Sequence, residues 1–215
     1  VAGIMATALG VLWLRRAGQI RPILGTDGKR IAAGIAEKVF VEINGTRQGM
    51  IIRSANPSNP VLLFVHGGPA MPTYCLDRHY PTGLEADFTM VWWDQRGAGL
   101  SYRSDIPAET MNVQQIVDDT VAVADYLRAR FGKEKVYLMG HSWGSFIGIQ
   151  AASKAPERFH AYIGVGQVTR QLTSERLAYE YMLRAHRTRG DHNMVRKLEA
   201  SGFAMTVPLP NAYMA

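Results

Sequence analysis

The chain has 215 residues, 47% of them hydrophobic and 20% charged, with a formal net charge of +6. That length suffices for one domain with a real core, and the balance is globular, which excludes a disordered chain. The basic residues are scattered, with no basic stripe among aromatics, so nucleic acid is set aside as a partner; Arg184, Arg187 and Arg189 read as a solvated helix face. The single cysteine, Cys75, excludes an internal disulfide and a cysteine cluster for a metal, and is expected to pack as a small hydrophobe.

Residues 1–14 are almost wholly apolar and are closed by Arg15-Arg16. Such a run falls short of the about 20 residues that cross a bilayer. No charged stretch precedes it, so it is not a complete secretory signal. The segment reads as the end of a membrane anchor, with the arginines and the domain behind them on the cytoplasmic side. A docking or amphipathic N-terminal helix is the alternative. Residues 21–36, rich in Gly and short polar side chains, read as a linker.

Residues 37–44 alternate, with Val39, Val41 and Ile43 on one side and Glu42 and Asn44 on the other, the pattern of a half-buried strand. Asn44-Gly45 predicts a tight hairpin turn, and residues 48–54 the returning strand. Residues 61–65 form a continuous apolar run, as in a parallel strand buried on both faces. His66-Gly67-Gly68-Pro69 follows at once, and its glycine pair lets the backbone approach another group closely. His66 is expected to fix that loop by hydrogen bonding, not to act as a base. Residues 72–87 mix helix and loop, and residues 88–93 form another buried strand. The loop after it, from Asp94 to Ser101, is expected to brace its neighbours through Asp94 and Arg96.

From Asn112 the period becomes helical. Val113, Ile116, Val117, Val121, Ala124 and Leu127 share one face, while Asp118, Asp119, Asp125 and Arg128 lie elsewhere. Thr110 or Asn112 can cap the start, and Gly132 ends the helix. Residues 135–139 form a strand, residues 146–152 a helix, and Gly140-His141-Ser142-Trp143-Gly144-Ser145 joins them. A Gly-x-Ser-x-Gly on a strand-to-helix turn is the setting of an exposed serine nucleophile. Side chains at Gly140 or Gly144 would crowd strand against helix. The Trp143 N–H would point to where an oxyanion forms. Residues 161–165 predict a further strand, and residues 172–200 a charged helical stretch that reads as an insertion above the sheet.

The motifs His66-Gly67-Gly68-Pro69, Asp94-Gln95-Arg96-Gly97-x-Gly99-x-Ser101 and Gly140-x-Ser142-Trp143-Gly144-Ser145 together resemble the proline iminopeptidase family of α/β hydrolases. The resemblance implies an α/β fold with a mostly parallel sheet, flanking helices and the start of a helical cap. It implies Ser142 as the catalytic nucleophile, with Gly67, Gly68 and Trp143 forming the oxyanion hole. It implies no metal or organic cofactor, and a small-molecule or peptide substrate whose amino group acidic residues of the cap would hold. Glu175 and Glu180 lie in that region without matching a family motif. The division expected is an apolar segment and linker over 1–36, a hydrolase core over 37–168 and the start of a cap over 169–215.

The sequence departs from the pattern twice. The family's loop continues with Gly where Ala70 stands, which costs about 1 kcal/mol or more if the position needs positive φ. The family's acid and histidine follow the serine and the cap, and no match for them is found before Ala215. His186, Asp191 and His192 read as surface residues. The expectation is therefore a C-terminally shortened piece of a longer enzyme, lacking its last strands, poorly soluble and inactive alone. The activity expected of the whole enzyme is acyl transfer by an aminopeptidase. An esterase or lipase, and a non-catalytic binding module of the same fold, are the alternatives. Dehalogenase and epoxide hydrolase branches are disfavoured, because the resemblance to them requires a carboxylate where Ser142 stands.

Overall fold

Short apolar runs separated by glycine-rich turns place six strands in one sheet of the computed structural model, which describes residues 20–202. The strands are β1 (Ile35–Ile43), β2 (Thr46–Ser54), β3 (Val61–Val65), β4 (Thr89–Trp93), β5 (Val136–His141) and β6 (Phe159–Val165), in the spatial order β1-β2-β4-β3-β5-β6. The β1–β2 and β2–β4 pairs are antiparallel, and the β4–β3, β3–β5 and β5–β6 pairs are parallel. Asn44 (φ 46°) and Gly45 (φ 74°) form the two-residue turn between β1 and β2, both with the positive φ that a tight hairpin needs.

Alternation along the strands gives the sheet two apolar faces. One carries Met50, Ile52, Val61, Leu63, Val65, Val91, Trp93, Val136 and Leu138, packed with residues of α2 (Val113–Phe131) and α3 (Trp143–Lys154). The other carries Ile51, Leu62, Met90 and Trp92, with Tyr74 of the short helix α1 (Tyr74–His79), Leu84 and Ile20 against them. Asn112 caps α2 by accepting from the Gln115 N–H at 2.9 Å, and Gly132 at φ 60° closes it.

Several boundaries and burials differ from the sequence expectation. The stretch read as linker contains a β-bridge between Leu24 and Arg30, and β1 begins at Ile35. Cys75 is exposed instead of packed, because Asp77 takes the buried position of the two-turn helix α1. Asp119, which lies off the apolar face of the sequence pattern, is fully buried. Its carboxylate accepts from Arg96 Nε at 2.8 Å, Arg96 Nη2 at 3.0 Å, Gln48 at 2.7 Å, and Asn44 and Gln115 at 2.9 Å.

The chain divides into two compact units, residues 1–167 and residues 168–215. In the second unit the stretch expected as one helical run is two helices, α4 (Gln171–Thr188) and α5 (His192–Ser201). Gly190 at φ 70° turns the chain between them. Asp191 caps α5 by accepting from the Met194 N–H at 3.1 Å, and its other oxygen lies 3.0 Å from His186 Nδ1. Asp191 and His186 thus serve a helix end. Arg184, Arg187 and Arg189 are exposed. The apolar residues 1–14, and with them the expected membrane attachment, lie outside the described residues. Among the described residues no helix is long and apolar enough to cross a membrane.

Candidate active site

Strand β5 delivers the chain to Ser142, and α3 begins on the next residue. Ser142 holds φ 51° and ψ −120°, a conformation that L-residues adopt only under constraint. The constraint is packing. A Cβ built on Gly144 would lie 2.0 Å from the Val65 carbonyl oxygen, and one on Gly140 would lie 2.3 Å from the Gly144 carbonyl oxygen. Backbone thus approaches backbone on both sides of the turn, and only glycine fits there. The Ser142 N–H donates to the Val165 carbonyl at 2.9 Å, which ties the turn to β6. Ser142 is left half-buried, with part of its surface open to solvent.

The loop after β3 lies against this turn. A Cβ on Gly67 would sit 3.2 Å from Ser142 Cβ and 3.1 Å from the His141 carbonyl oxygen, so the Gly67 backbone borders the serine side chain. Gly68 holds φ 121°, and a Cβ there would meet the Ala70 nitrogen at 2.9 Å. Ala70 has φ 62°, so the position where alanine replaces the family's glycine does require the left-handed region.

Gln95 joins the loop to the turn, and sequence reasoning did not single it out. Its side-chain amide donates to the His66 carbonyl at 2.7 Å, and its oxygen accepts from the Trp143 indole N–H at 3.2 Å. Its backbone N–H donates to His66 Nε2 at 3.2 Å, and His66 Nδ1 pairs with the Gly67 carbonyl at 2.9 Å. Both ring nitrogens are therefore occupied, with the proton on Nδ1, and burial holds the imidazole pKa below its usual value against the raising effect of the Gly67 bond. His66 is a strut for the loop and not a base. For Gln95 the signal available in the sequence was a polar residue two positions after a fully buried strand, a place where a side chain must find partners.

Asp94 and Arg96 brace separate parts of the fold and do not pair with each other. Asp94 Oδ2 accepts from the Leu100 N–H at 2.7 Å, while Arg96 reaches Asp119, Thr46 and the Asn44 carbonyl. Burial pushes the Asp94 carboxyl up to about 6, opposed by the Leu100 N–H and by Lys38. A cavity of about 250 Å³ lies beside the glycine loop, lined by Pro69, Ala70, Gln95, Met111, Ile116 and Trp143 among others.

Trp143 is the first residue of α3, so its N–H has no acceptor within the helix and lies at the helix's positive end. The arrangement brings a constrained serine, the leading amides of a helix and a glycine backbone to one place, the geometry that suits a developing negative oxygen. Among the described residues no histidine hydrogen-bonds Ser142, and no group of three His, Cys, Asp or Glu side chains is placed to hold a metal.

The profile of a family described as alpha/beta hydrolase fold matches residues 60–191. The chain is 41% identical over 142 residues to the probable aminopeptidase YbaC of Bacillus subtilis, an alignment covering 66% of this chain and 45% of that protein. It is 36% identical over 118 residues to the proline iminopeptidase PfmaB of Pestalotiopsis fici, covering 54% of this chain and 38% of that one. Among solved structures it resembles a proline iminopeptidase-related protein of Thermus thermophilus, with TM-score 0.52 and 25% identity, over 60% of this chain and 44% of that one. It also resembles the epoxide hydrolase VrEH1 of Vigna radiata, with TM-score 0.51 and 28% identity, over 60% and 39%. The chain spans less than half the length of the curated relatives it matches.

Proposed function

Because this chain belongs to the alpha/beta hydrolase fold family, we propose that it carries the nucleophile and oxyanion-binding part of a serine hydrolase acting by acyl transfer. An aminopeptidase that releases N-terminal residues, proline among them, is the reading that its relatives' names support. The observation that carries the proposal is Ser142 itself, half-exposed at φ 51° between a strand and a helix, with the Gly67 backbone against it.

In this reading Ser142 Oγ attacks a substrate carbonyl. The oxygen of that carbonyl becomes an oxyanion held by backbone N–H groups of Trp143 and the Gly67-Gly68 pair. The serine proton passes to a general base that the described residues do not supply, and the leaving amine departs with a proton returned by it. The acyl-enzyme is then hydrolysed. Helices α4 and α5 are proposed as the beginning of a cap. The fold is shared with an epoxide hydrolase, and Ser142 stands where the sequence reading expects a carboxylate for that branch.

A fluorophosphonate probe tests the proposal on the whole protein. Labelling is expected, and Ser142→Ala should abolish it while leaving the circular dichroism spectrum unchanged. Absence of labelling in the whole protein, or labelling that survives Ser142→Ala, would overturn the serine mechanism. Turnover of matched amino-acyl amide and ester chromogens separates an aminopeptidase from an esterase.

A further inference from the structure

Building on the serine hydrolase reading above, we propose that Gln95 is a positioning residue for catalysis: it fixes the direction of the loop N–H groups that receive the oxyanion. A trans peptide is planar, so its N–H points opposite to its own C=O. The direction of the Gly67 N–H is therefore set by whatever holds the His66 carbonyl, and that of the Gly68 N–H by whatever holds the Gly67 carbonyl. Gln95 Nε2 donates to the His66 carbonyl at 2.7 Å. His66 Nδ1 donates to the Gly67 carbonyl at 2.9 Å, and the Met71 N–H reaches the same oxygen at 3.3 Å. The His66 ring is in turn set by Gln95, whose backbone N–H donates to Nε2 at 3.2 Å and so leaves the ring proton on Nδ1. Both peptide planes thus trace back to one residue, itself only 2% exposed.

The glycines make such a hold necessary. Without Cβ atoms, residues 67 and 68 can present either side of a peptide to the serine at little cost, and Gly68 already stands at φ 121°. A turned plane would set a carbonyl oxygen, and not an N–H, toward the developing negative charge. The transition state would then lose its donor while the substrate still bound. The other end of the Gln95 carboxamide accepts from the Trp143 indole N–H at 3.2 Å, on the residue that leads α3 with its free backbone N–H. Gln95 thereby joins the two sources of donors. An apolar side chain of the same length would fill the same space, but it lacks the N–H that holds the His66 carbonyl.

The whole protein carrying Gln95→Met or Gln95→Glu tests the proposal. Turnover of the amino-acyl chromogen that the parent prefers is expressed per serine, counted by the final extent of fluorophosphonate labelling. Both variants lose the donor to the His66 carbonyl, and Gln95→Glu keeps an acceptor for Trp143. In both, kcat should fall by about 10- to 100-fold with KM within about threefold, since a misplaced donor is worth somewhat less than a deleted one. Affinity for an amino-acyl trifluoromethyl ketone, which adds serine to give a hemiketal oxyanion, should fall by the same factor as kcat/KM. A parent that labels, with kcat per labelled serine unmoved by either substitution or with KM alone raised, would overturn the role of Gln95 and leave the serine mechanism standing. A parent that does not label would overturn both. Should the variants fail to fold, a crystal structure of the unaltered whole protein with the trifluoromethyl ketone decides. The hemiketal oxygen should accept from a loop N–H while Gln95 Nε2 still holds the His66 carbonyl, and a turned 66–67 peptide or a released Gln95 would overturn the proposal.

Discussion

Replacing Asp119 with alanine removes the centre of the buried polar cluster that ties the β1–β2 hairpin to α2. Five hydrogen bonds end on its carboxylate, two of them from Arg96. Without it the Arg96 guanidinium stays buried, 3% exposed, and keeps only Thr46 Oγ1 and the Asn44 carbonyl. Breaking a buried pair from one side costs about 3–5 kcal/mol. A domain's whole stability is about 5–15 kcal/mol, so the loss is a large fraction of it. Equilibrium urea unfolding followed by tryptophan fluorescence measures it, and Trp93, whose indole N–H donates to Gln48 at 2.8 Å, reports from within the same cluster. Arg96→Met alone should cost a similar amount, while the pair Arg96→Met with Asp119→Leu should fall at least about 1 kcal/mol short of the sum. An Asp119→Ala protein within about 1 kcal/mol of the parent would refute the reasoning, since the cost rests on an unpaired buried charge.

Ala70→Gly should stabilise the chain by about 0.5 kcal/mol, because relief of a left-handed alanine outweighs the added freedom of the unfolded glycine; a lower urea midpoint would contradict this. Asp94 titrates with a raised pKa of about 6, so the folded state holds its proton more tightly than the unfolded chain. Its contribution to stability is full below the unfolded value and is lost as pH rises through about 6. Asp94→Asn should therefore gain stability over the parent at neutral pH and lose that advantage near pH 4, as read by unfolding midpoints across the range. An advantage independent of pH would show that the Asp94 charge is not the cause.

What the sequence made legible follows what each signal measures. Apolar runs placed β3 at Val61–Val65 and β4 within one residue, because a strand buried on both faces has no polar positions to blur its ends. The Gly-x-Ser-x-Gly turn was legible because its glycines meet backbone oxygens and tolerate no side chain. The exposure of Cys75 and the burial of Asp119 were not legible in the sequence. Polarity averages give charged residues to solvent, while burial here follows specific partners: five donors for Asp119, and a short helix whose inward position falls on Asp77. Gln95 stands in the motif after β4, but its bridging role is not legible there, because it reaches two segments, 29 and 48 residues away, that come together only after folding.

Gln95 grips the His66 carbonyl with one end of its carboxamide and the Trp143 indole with the other. The separation between the glycine loop and the first turn of α3 is therefore gauged by a rigid planar spacer instead of by the loop's own stiffness. Asparagine would be one methylene too short to span it, and glutamate would set an oxygen against the carbonyl that now receives a donor. The amide plane thus adds a fixed length to the hold that the His66 ring already has on the loop.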